Sequence, residues 1–366
     1  MVLPAKGYNG VGYAFIAVAL LIYAWTSIIG VEAVLPSQIN DELTVMTLAR
    51  DPRSVEGTGG GYYYMALLAS QLPSGMIELL VATVGILFIF QAFKGVRTTV
   101  GASVVLFLVV PPILLFLTLF IKEIFTPVLT LAAMMAFRAR SEAIKYAVIA
   151  VIYIVYGLFF RQYYLLIIVT FLALSVFSST DRMLKVTLLA AFVACLLVIP
   201  DYYFFDLQVV RDNLNSDRLT SSASARTAFT NLVPPGGVMS FLINYAYAAA
   251  VLNIPIVFLY FGPKEAVLTI TVMVYAALTV ISLRSGNSIL KGLALLFASH
   301  IAVQLLFEPD LGSYLRHSSA LLLYLTPAIP YFEMKGRQTK KTNRRSRKRP
   351  ALSGTRIARQ LPDARG

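Results

Sequence analysis

The run VVLFLVVPPILLFLTLFIKEIFTPVLTLAAMMAF, from Val104 to Phe137, contains only two charged residues, Lys122 and Glu123. A helix needs about 20 consecutive apolar residues to cross the hydrocarbon core of a bilayer, and this run is long enough for more than one crossing. It therefore predicts membrane-spanning helices joined by a short charged connection.

The rest of the chain follows the same pattern. Of its 366 residues, 58% are hydrophobic and 13% are charged, and the mean hydropathy is +0.75. Soluble domains carry about 25% charged residues. We therefore predict an all-α integral membrane protein with roughly ten to eleven transmembrane helices. The predicted spans are 12–30, 76–93, 101–121, 124–137, 146–160, 163–177, 186–205, 238–261, 266–283, 288–306 and 318–333.

The distribution of Lys and Arg predicts the orientation, because cytoplasmic loops carry an excess of basic residues. The predicted cytoplasmic loops are 94–97, 138–145 and 181–185. Alternation then places four segments on the outer side, namely 31–75, 122–123, 161–164 and the long loop 206–237.

The C-terminal spans need one exception. Eleven crossings would put the basic tail outside, so one apolar segment is predicted not to cross. We favour 238–261, which follows a PPGG sequence and contains Asn244, Asn253 and Pro255. Such a segment can re-enter if other protein covers its backbone. The alternative is that the short segment 318–333 fails to span.

Residues 1–334 are predicted to form the membrane domain, and residues 335–366 a disordered cytoplasmic tail. From Lys335 to Arg365 the tail has twelve Lys and Arg and one acid, Asp363, so it supplies +11 of the net charge of +13. Such a tail anchors topology and binds anionic membrane lipids. It lacks the interleaved aromatic residues that favour single-stranded nucleic acid, so no nucleic-acid partner is predicted.

Familiar soluble catalytic motifs are absent from the sequence. There is no Walker A, G-x-S-x-G, H-E-x-x-H or dinucleotide fingerprint, and GTGGG at 57–61 lacks the context of a phosphate-binding loop. Cys195 is the only cysteine, so no disulfide framework and no cysteine-based metal site is expected. The sequence therefore predicts neither cofactor nor metal.

Charged residues at or near membrane depth are costly and mark candidate functional positions. Asp41 and Glu42 begin a short helical pattern, in which a helix N-terminal acid is the simpler interpretation. Lys122 and Glu123 form either a charged site or a plain turn with a snorkelling lysine. Arg161, in FFRQYYLL, either binds phosphate or carboxylate bidentately or lies among lipid headgroups.

Two outer segments carry the remaining candidates. The 206–237 loop contains Arg211 and Arg218 and is either functional or a solvated connection. The segment FEPDLGSYLRH, from Phe307 to His317, places two acids, an arginine and a histidine between apolar runs. It is either a site or a turn in which Arg316 pairs with Asp310.

Several of these segments together resemble the bacterial polysaccharide polymerase family, which joins lipid-linked O-antigen or exopolysaccharide repeat units. The resemblance rests on INDELTVMTLA, IKEIFTPVLTLAAM, FFRQYYLLI, a large late outer loop and RH before the last helix. It spans most of the chain and is carried by topology and short motifs.

The resemblance implies a membrane glycosyltransferase of the bacterial inner membrane. Its donor and acceptor would be glycans on undecaprenyl diphosphate. Arginines would neutralise the diphosphate, and a carboxylate or histidine would accept the acceptor hydroxyl's proton. The candidate catalytic residues are Asp41, Glu123, Glu308, Asp310 and His317. The candidate substrate-binding residues are Lys122, Arg161, Arg211, Arg218 and Arg316.

Two other classes stay open. A lipid-linked oligosaccharide flippase or another polytopic transporter would share the apolar spans, although transporters tend to show internal repeats, which we do not find. A non-catalytic partner of other polysaccharide-assembly membrane proteins is the third interpretation.

Overall fold

The computed structural model describes residues 9–30, 40–50, 60–221 and 226–336, and the side chains of 217–221 lie outside this description. These residues form helices and connections without a β-strand. The α-helices are α1 (Gly10–Ile29), α2 (Asn40–Arg50), α3 (Gly60–Gln71), α4 (Ser74–Ala92), α5 (Thr99–Pro112), α6 (Thr126–Ala136), α7 (Glu142–Phe159), α8 (Tyr163–Ser179), α9 (Arg182–Val198), α10 (Asp201–Ser221), α11 (Val238–Asn253), α12 (Pro263–Leu283), α13 (Ser288–Phe307) and α14 (Leu311–Ser319).

Six helices in the described part of the chain are long and apolar enough to cross a bilayer. They are α1, α4, α5 with its extension to Leu117, α7, α12 and α13. Helices α9 and α10 would form a seventh span if taken together, although they are bent by 89° relative to one another. The chain thus has the architecture of an all-α, multi-pass membrane protein.

The predicted count of ten to eleven spanning helices exceeds this number for a physical reason. Helices α6, α8 and α11 have only 11, 17 and 16 residues. The predicted last span, 318–333, is not one helix, because it consists of the end of α14, a 3₁₀ turn at Leu322–Tyr324 and a helical segment over 328–336. Protein surrounds this broken segment, and Leu321, Leu322 and Leu323 are fully buried.

The segment 206–237, predicted as a long outer loop, is helical in its first half. Helix α10 continues to Ser221, so the polar sequence there is helical. The turn between α9 and α10 falls at Pro200, which lacks the N–H of a continuous helix. Residues 222–225 of this segment lie outside the described residues.

The bundle has two ends that differ in charge. At the end that we call the Arg97 end, the side chain of Asn9 before α1 donates to the carbonyl of Arg97, and Glu333 accepts from the backbone N–H of Arg97 and Thr98. At the other end, which we call the Glu123 end, lie the C-terminal ends of α1, α5, α7 and α13. The segment from Leu311 to Glu333 therefore runs the length of the bundle despite its breaks.

Helix α11 begins at the Glu123 end. The 3₁₀ turn that follows it, Ile256–Tyr260, ends on the same side. Before α11, the Gly236 carbonyl accepts from Gln208 on α10. After it, the carbonyl of Phe261 accepts from Arg226. These contacts favour the interpretation of 238–261 as a segment that enters and leaves on one side.

Candidate functional site

The connection between α13 and α14 shows how FEPDLGSYLRH folds. Pro309 ends α13, because the residue before a proline is driven to extended backbone, and Glu308 has φ −70° and ψ 124°. Asp310 then caps α14 by accepting from the N–H of Ser313 at 2.8 Å. Two turns of α14 later, the chain presents Arg316 and His317 next to Glu308.

A second break positions Glu123. Pro111 and Pro112 lie inside α5, which continues as a π-helix over Ile113–Leu117 and then ends. Prolines remove helical donors, and π-helical turns are frequent at functional sites. Lys122 and Glu123 follow in a one-turn 3₁₀ helix. The Glu123 side chain is only 1% exposed, so it is a buried carboxylate that requires partners.

Arg161 is the first of these partners. It lies in the tight connection between α7 and α8, where its N–H donates to the carbonyl of Tyr156 at 3.3 Å. One guanidinium nitrogen donates to Glu123 Oε1 and the other to the hydroxyl of Tyr163. Its side chain is 8% exposed, so this arginine and Glu123 form a buried ion pair.

His317 and Arg316 approach the same carboxylate oxygen from α14. His317 Nε2 lies 3.1 Å from Glu123 Oε1, and Arg316 Nε lies 3.7 Å from it. The other ring nitrogen of His317, Nδ1, contacts Glu308 Oε1. One oxygen of Glu123 is therefore shared by two arginines and a histidine, and the histidine bridges two carboxylates.

Helices α2 and α3 complete the cluster. Arg316 Nη1 donates to Asp41 Oδ2 at 2.8 Å, across 275 residues of sequence. The Tyr62 hydroxyl donates to Asp41 Oδ1 at 2.7 Å, and Lys122 Nζ lies 4.1 Å from the centre of the Tyr62 ring. Asp41 thus has a role beyond that of a helix N-terminal acid.

The cluster shifts the ionisation of its members. Burial opposes ionisation of Glu123, but Arg161, Arg316 and His317 outweigh it and hold the pKa of that carboxyl well below its usual range. Burial likewise opposes ionisation of Glu308, and His317 more than compensates, so the pKa of Glu308 is lowered. Burial, followed by the positive charge of Arg161, lowers the pKa of Lys122.

Three buried polar atoms of the cluster have no hydrogen-bond partner among the described residues. They are Glu123 Oε2, Arg161 Nε and Arg316 Nε. An unsatisfied buried donor or acceptor costs about 1 to 3 kcal/mol, and more when charged. Two guanidinium N–H donors and one carboxylate acceptor thus lie close together without hydrogen bonds, which is typical of a site that binds a polar ligand.

The surroundings of His317 offer a hydrogen-bond acceptor to each of its two ring nitrogens. Both of its ring nitrogens face carboxylate oxygens, and carboxylates without a proton only accept hydrogen bonds. A doubly protonated imidazolium satisfies both contacts, because both ring nitrogens then donate. A neutral ring donates to only one of the two carboxylates, so its other nitrogen can then accept a proton.

The structure brings seven of the ten candidate residues together. They are Asp41, Lys122, Glu123, Arg161, Glu308, Arg316 and His317. Tyr62 and Tyr163 belong to the same cluster but were not singled out from the sequence. For Tyr163 the available signal was its position two residues after Arg161, since a tyrosine next to a buried charge supplies the hydroxyl it requires. Tyr62 has no charged neighbour in the sequence that could have singled it out.

The remaining candidates lie elsewhere. Asp310 caps α14 and does not pair with Arg316, so the turn interpretation of that segment is wrong. Arg211 is buried and donates to the carbonyls of Glu308 and Leu305 and to Asn231, which holds the C-terminal end of α13. Arg218 lies in α10, and its side chain is outside the described residues.

No group of three or more His, Cys, Asp or Glu side chains in the described ranges is arranged to hold a metal ion. Comparison with protein-family models, with curated proteins and with solved structures gives no match for this chain. The geometry of the site is therefore the basis for a functional proposal.

Proposed function

We propose that this protein is a glycosyltransferase that polymerises lipid-linked oligosaccharide repeat units. The observation that carries the proposal is the buried cluster in which Arg161 and Arg316 share Glu123 beside the His317–Glu308 pair. It combines a binding site for an anion with a proton acceptor at the end of a membrane bundle. Transfer of a glycan from a lipid diphosphate requires both.

The two arginines bind the diphosphate of the donor. Each has a buried Nε donor without a hydrogen-bond partner among the described residues, and a planar guanidinium matches phosphate oxygens. In the arrangement seen here, Glu123 occupies the position of the anion. An incoming diphosphate competes for the same arginines, and Lys122 adds a third positive charge at the edge of the site.

The reaction then proceeds by displacement at the anomeric carbon. An acceptor hydroxyl attacks that carbon, the bond to the diphosphate oxygen breaks, and undecaprenyl diphosphate leaves with the electron pair. The hydroxyl proton passes to Nε2 of deprotonated His317, and Glu308 at Nδ1 holds the ring and stabilises the resulting imidazolium. The arginines stabilise the negative charge that develops on the leaving diphosphate.

The proposal also assigns a location. The Glu123 end faces outward from a bacterial inner membrane, and the basic tail lies in the cytoplasm. The basic loops at 94–97 and 138–145 support this orientation, because both lie at the Arg97 end, and positive loops remain inside. Substrate glycans on the outer leaflet then reach the site from the side on which polymer is made.

The test replaces each arginine by lysine. Arg161→Lys and Arg316→Lys keep the charge but lose the planar, two-pronged contact. Loss of such a contact in the transition state lowers the rate about 100- to 1000-fold. In the native host, the polymer ladder on a gel should collapse to single repeat units. Arg284→Lys, at an exposed position near the start of α13, is the matched control and should leave the ladder unchanged.

The same gel separates the transferase from a transporter. A flippase with a damaged site leaves no single units displayed on the cell surface, whereas a polymerase with a damaged site leaves single units there. Immunoblotting of membranes establishes that the variants are present at normal abundance. Normal ladders from both lysine variants would refute the arginine clamp.

A further inference from the structure

A cavity of about 530 Å³ lies at the Arg97 end, far from the cluster described above. It is formed where α4, α6 and α7 meet the start of α13 and the broken segment before residue 336. Its size falls within the range of about 300 to 1,000 Å³ that is usual for small-molecule sites. None of the ten candidate residues lines it.

The charge around this cavity is strongly one-sided. Five basic residues line it against one acid, Glu142, which leaves a formal excess of four positive charges. The basic residues are Lys94, Arg97, Arg138, Arg140 and Lys145. Lys145 is buried and pairs with Glu142 at 2.6 Å. The other four form no ion pair with an acid in the described ranges, and the carboxylate of Glu333 is engaged by backbone N–H groups.

The wall of the cavity is apolar. Apolar side chains contribute most of the rest of the lining, namely Met134, Phe137, Ile289, Leu293, Pro327, Pro330 and Met334. Cations at the opening above apolar walls match a molecule with an anionic head and an apolar body. Basic pockets between transmembrane helices bind phosphate-bearing lipid headgroups for this reason.

We propose that this cavity binds the phosphate headgroup of an anionic membrane lipid. The location favours a lipid over a soluble anion, because α4, α7 and α13 are long enough to span a bilayer and the cavity lies at their ends, where headgroups reside. Arg138 and Arg140 are exposed on the connection between α6 and α7 and reach the phosphate, while the apolar wall receives the start of the lipid chains. This site does not depend on the proposed transferase activity.

Binding of phosphatidylglycerol to the purified full-length protein tests the proposal. Native mass spectrometry in a non-ionic detergent gives the affinity of the first bound lipid. The double variant Arg138→Gln/Arg140→Gln should bind about 30-fold more weakly, which corresponds to about 2 kcal/mol for two basic residues near a membrane surface. The control Arg182→Gln/Lys185→Gln removes two charges that do not line the cavity and should bind as the wild type does.

A third variant fills the cavity without changing the charge. Ala139 lines it between the two arginines, and Ala139→Trp should also weaken binding at least tenfold. Unchanged lipid affinity of Ala139→Trp would overturn the proposal. This variant also provides the test if the arginine double variant does not fold. Equal losses in both double variants would mean that total charge binds lipid, which also refutes the cavity site. Displacement of the lipid by inorganic phosphate at low millimolar concentration would identify a site for free phosphate instead.

Discussion

Glu123 is the residue on which the cluster depends. A carboxylate this deeply buried is tolerated only with charged partners, and Glu123 has Arg161, Arg316 and His317 around one oxygen. Its second oxygen has no partner among the described residues. Removal of the negative charge leaves two buried arginines that repel each other, so Glu123 stabilises the fold.

The variant Glu123→Gln should therefore lose about 3 to 5 kcal/mol of stability at neutral pH. The pH dependence should change as well. The pKa of Glu123 is lowered in the folded protein, whereas the pKa of a glutamate in an unfolded chain is about 4.3. Its stabilising contribution is thus complete above about pH 4.3 and disappears as the pH falls through the lower folded pKa.

Thermal melts in detergent from pH 7 to pH 3 measure this effect. The Tm of the wild type should fall more steeply below about pH 4.3 than that of the Gln variant, because only the wild type gains a proton at this site. Glu78→Gln, at an exposed position of α4, is the control and should follow the wild-type curve. Parallel curves for wild type and Glu123→Gln would show that Glu123 is not ionised in the fold.

At the scale of elements, α3 must approach the connection between α7 and α8 very closely. An added Cβ at Gly61 would lie 2.7 Å from the carbonyl oxygen of Phe160, which is backbone and cannot rotate away. This contact brings the next residue, Tyr62, to Asp41 and Lys122. Glycine at the second position of α3 therefore permits this close packing.

Gly61→Ala should displace the start of α3 and separate Tyr62 from Asp41. Overpacking of this kind costs about 1 to 3 kcal/mol, and we expect a shorter polymer ladder together with a lower Tm. Gly75→Ala is the matched control, because an added Cβ there has no atom within 4 Å. A Gly61→Ala protein with wild-type ladder and Tm would contradict the close approach.

The whole molecule is organised by the separation of its two charged ends. Four basic residues that form no ion pair with a described acid lie at the Arg97 end, and the buried ion cluster lies at the Glu123 end. Because basic loops remain in the cytoplasm, this separation predicts which end faces outward. It also predicts that proposed chemistry and proposed lipid binding occur at opposite surfaces of the membrane.

Single cysteines placed in a Cys195→Ser background test this arrangement. Asn213→Cys on α10 should react with a membrane-impermeant maleimide in intact cells, whereas Ser285→Cys and Thr342→Cys should react only after the membrane is permeabilised. Cys195 is exposed and must be removed first. Labelling of Thr342→Cys in intact cells would place the tail outside and reverse the order of the last crossings.

The sequence alone determined the class of protein and several of the site residues. Long apolar runs predict helices in a bilayer because no other environment accepts them, and most predicted spans coincide with observed helices within a few residues. Glu123, Arg161, Arg316 and His317 could be recognised for a related reason. A charge beside apolar sequence is expensive, so its presence signals a partner or a function.

Tertiary structure decided which of these charges meet. Asp41 and Arg316 are 275 residues apart, and only the tertiary fold brings their side chains together. Contacts between α10 and the end of α13 assigned Arg211 to backbone carbonyls, although it looked equivalent to the site residues in sequence. Asp310 also looked equivalent, but it caps α14 locally. A charge shows by its local sequence that it needs a partner, but the partner is chosen by contacts between distant segments.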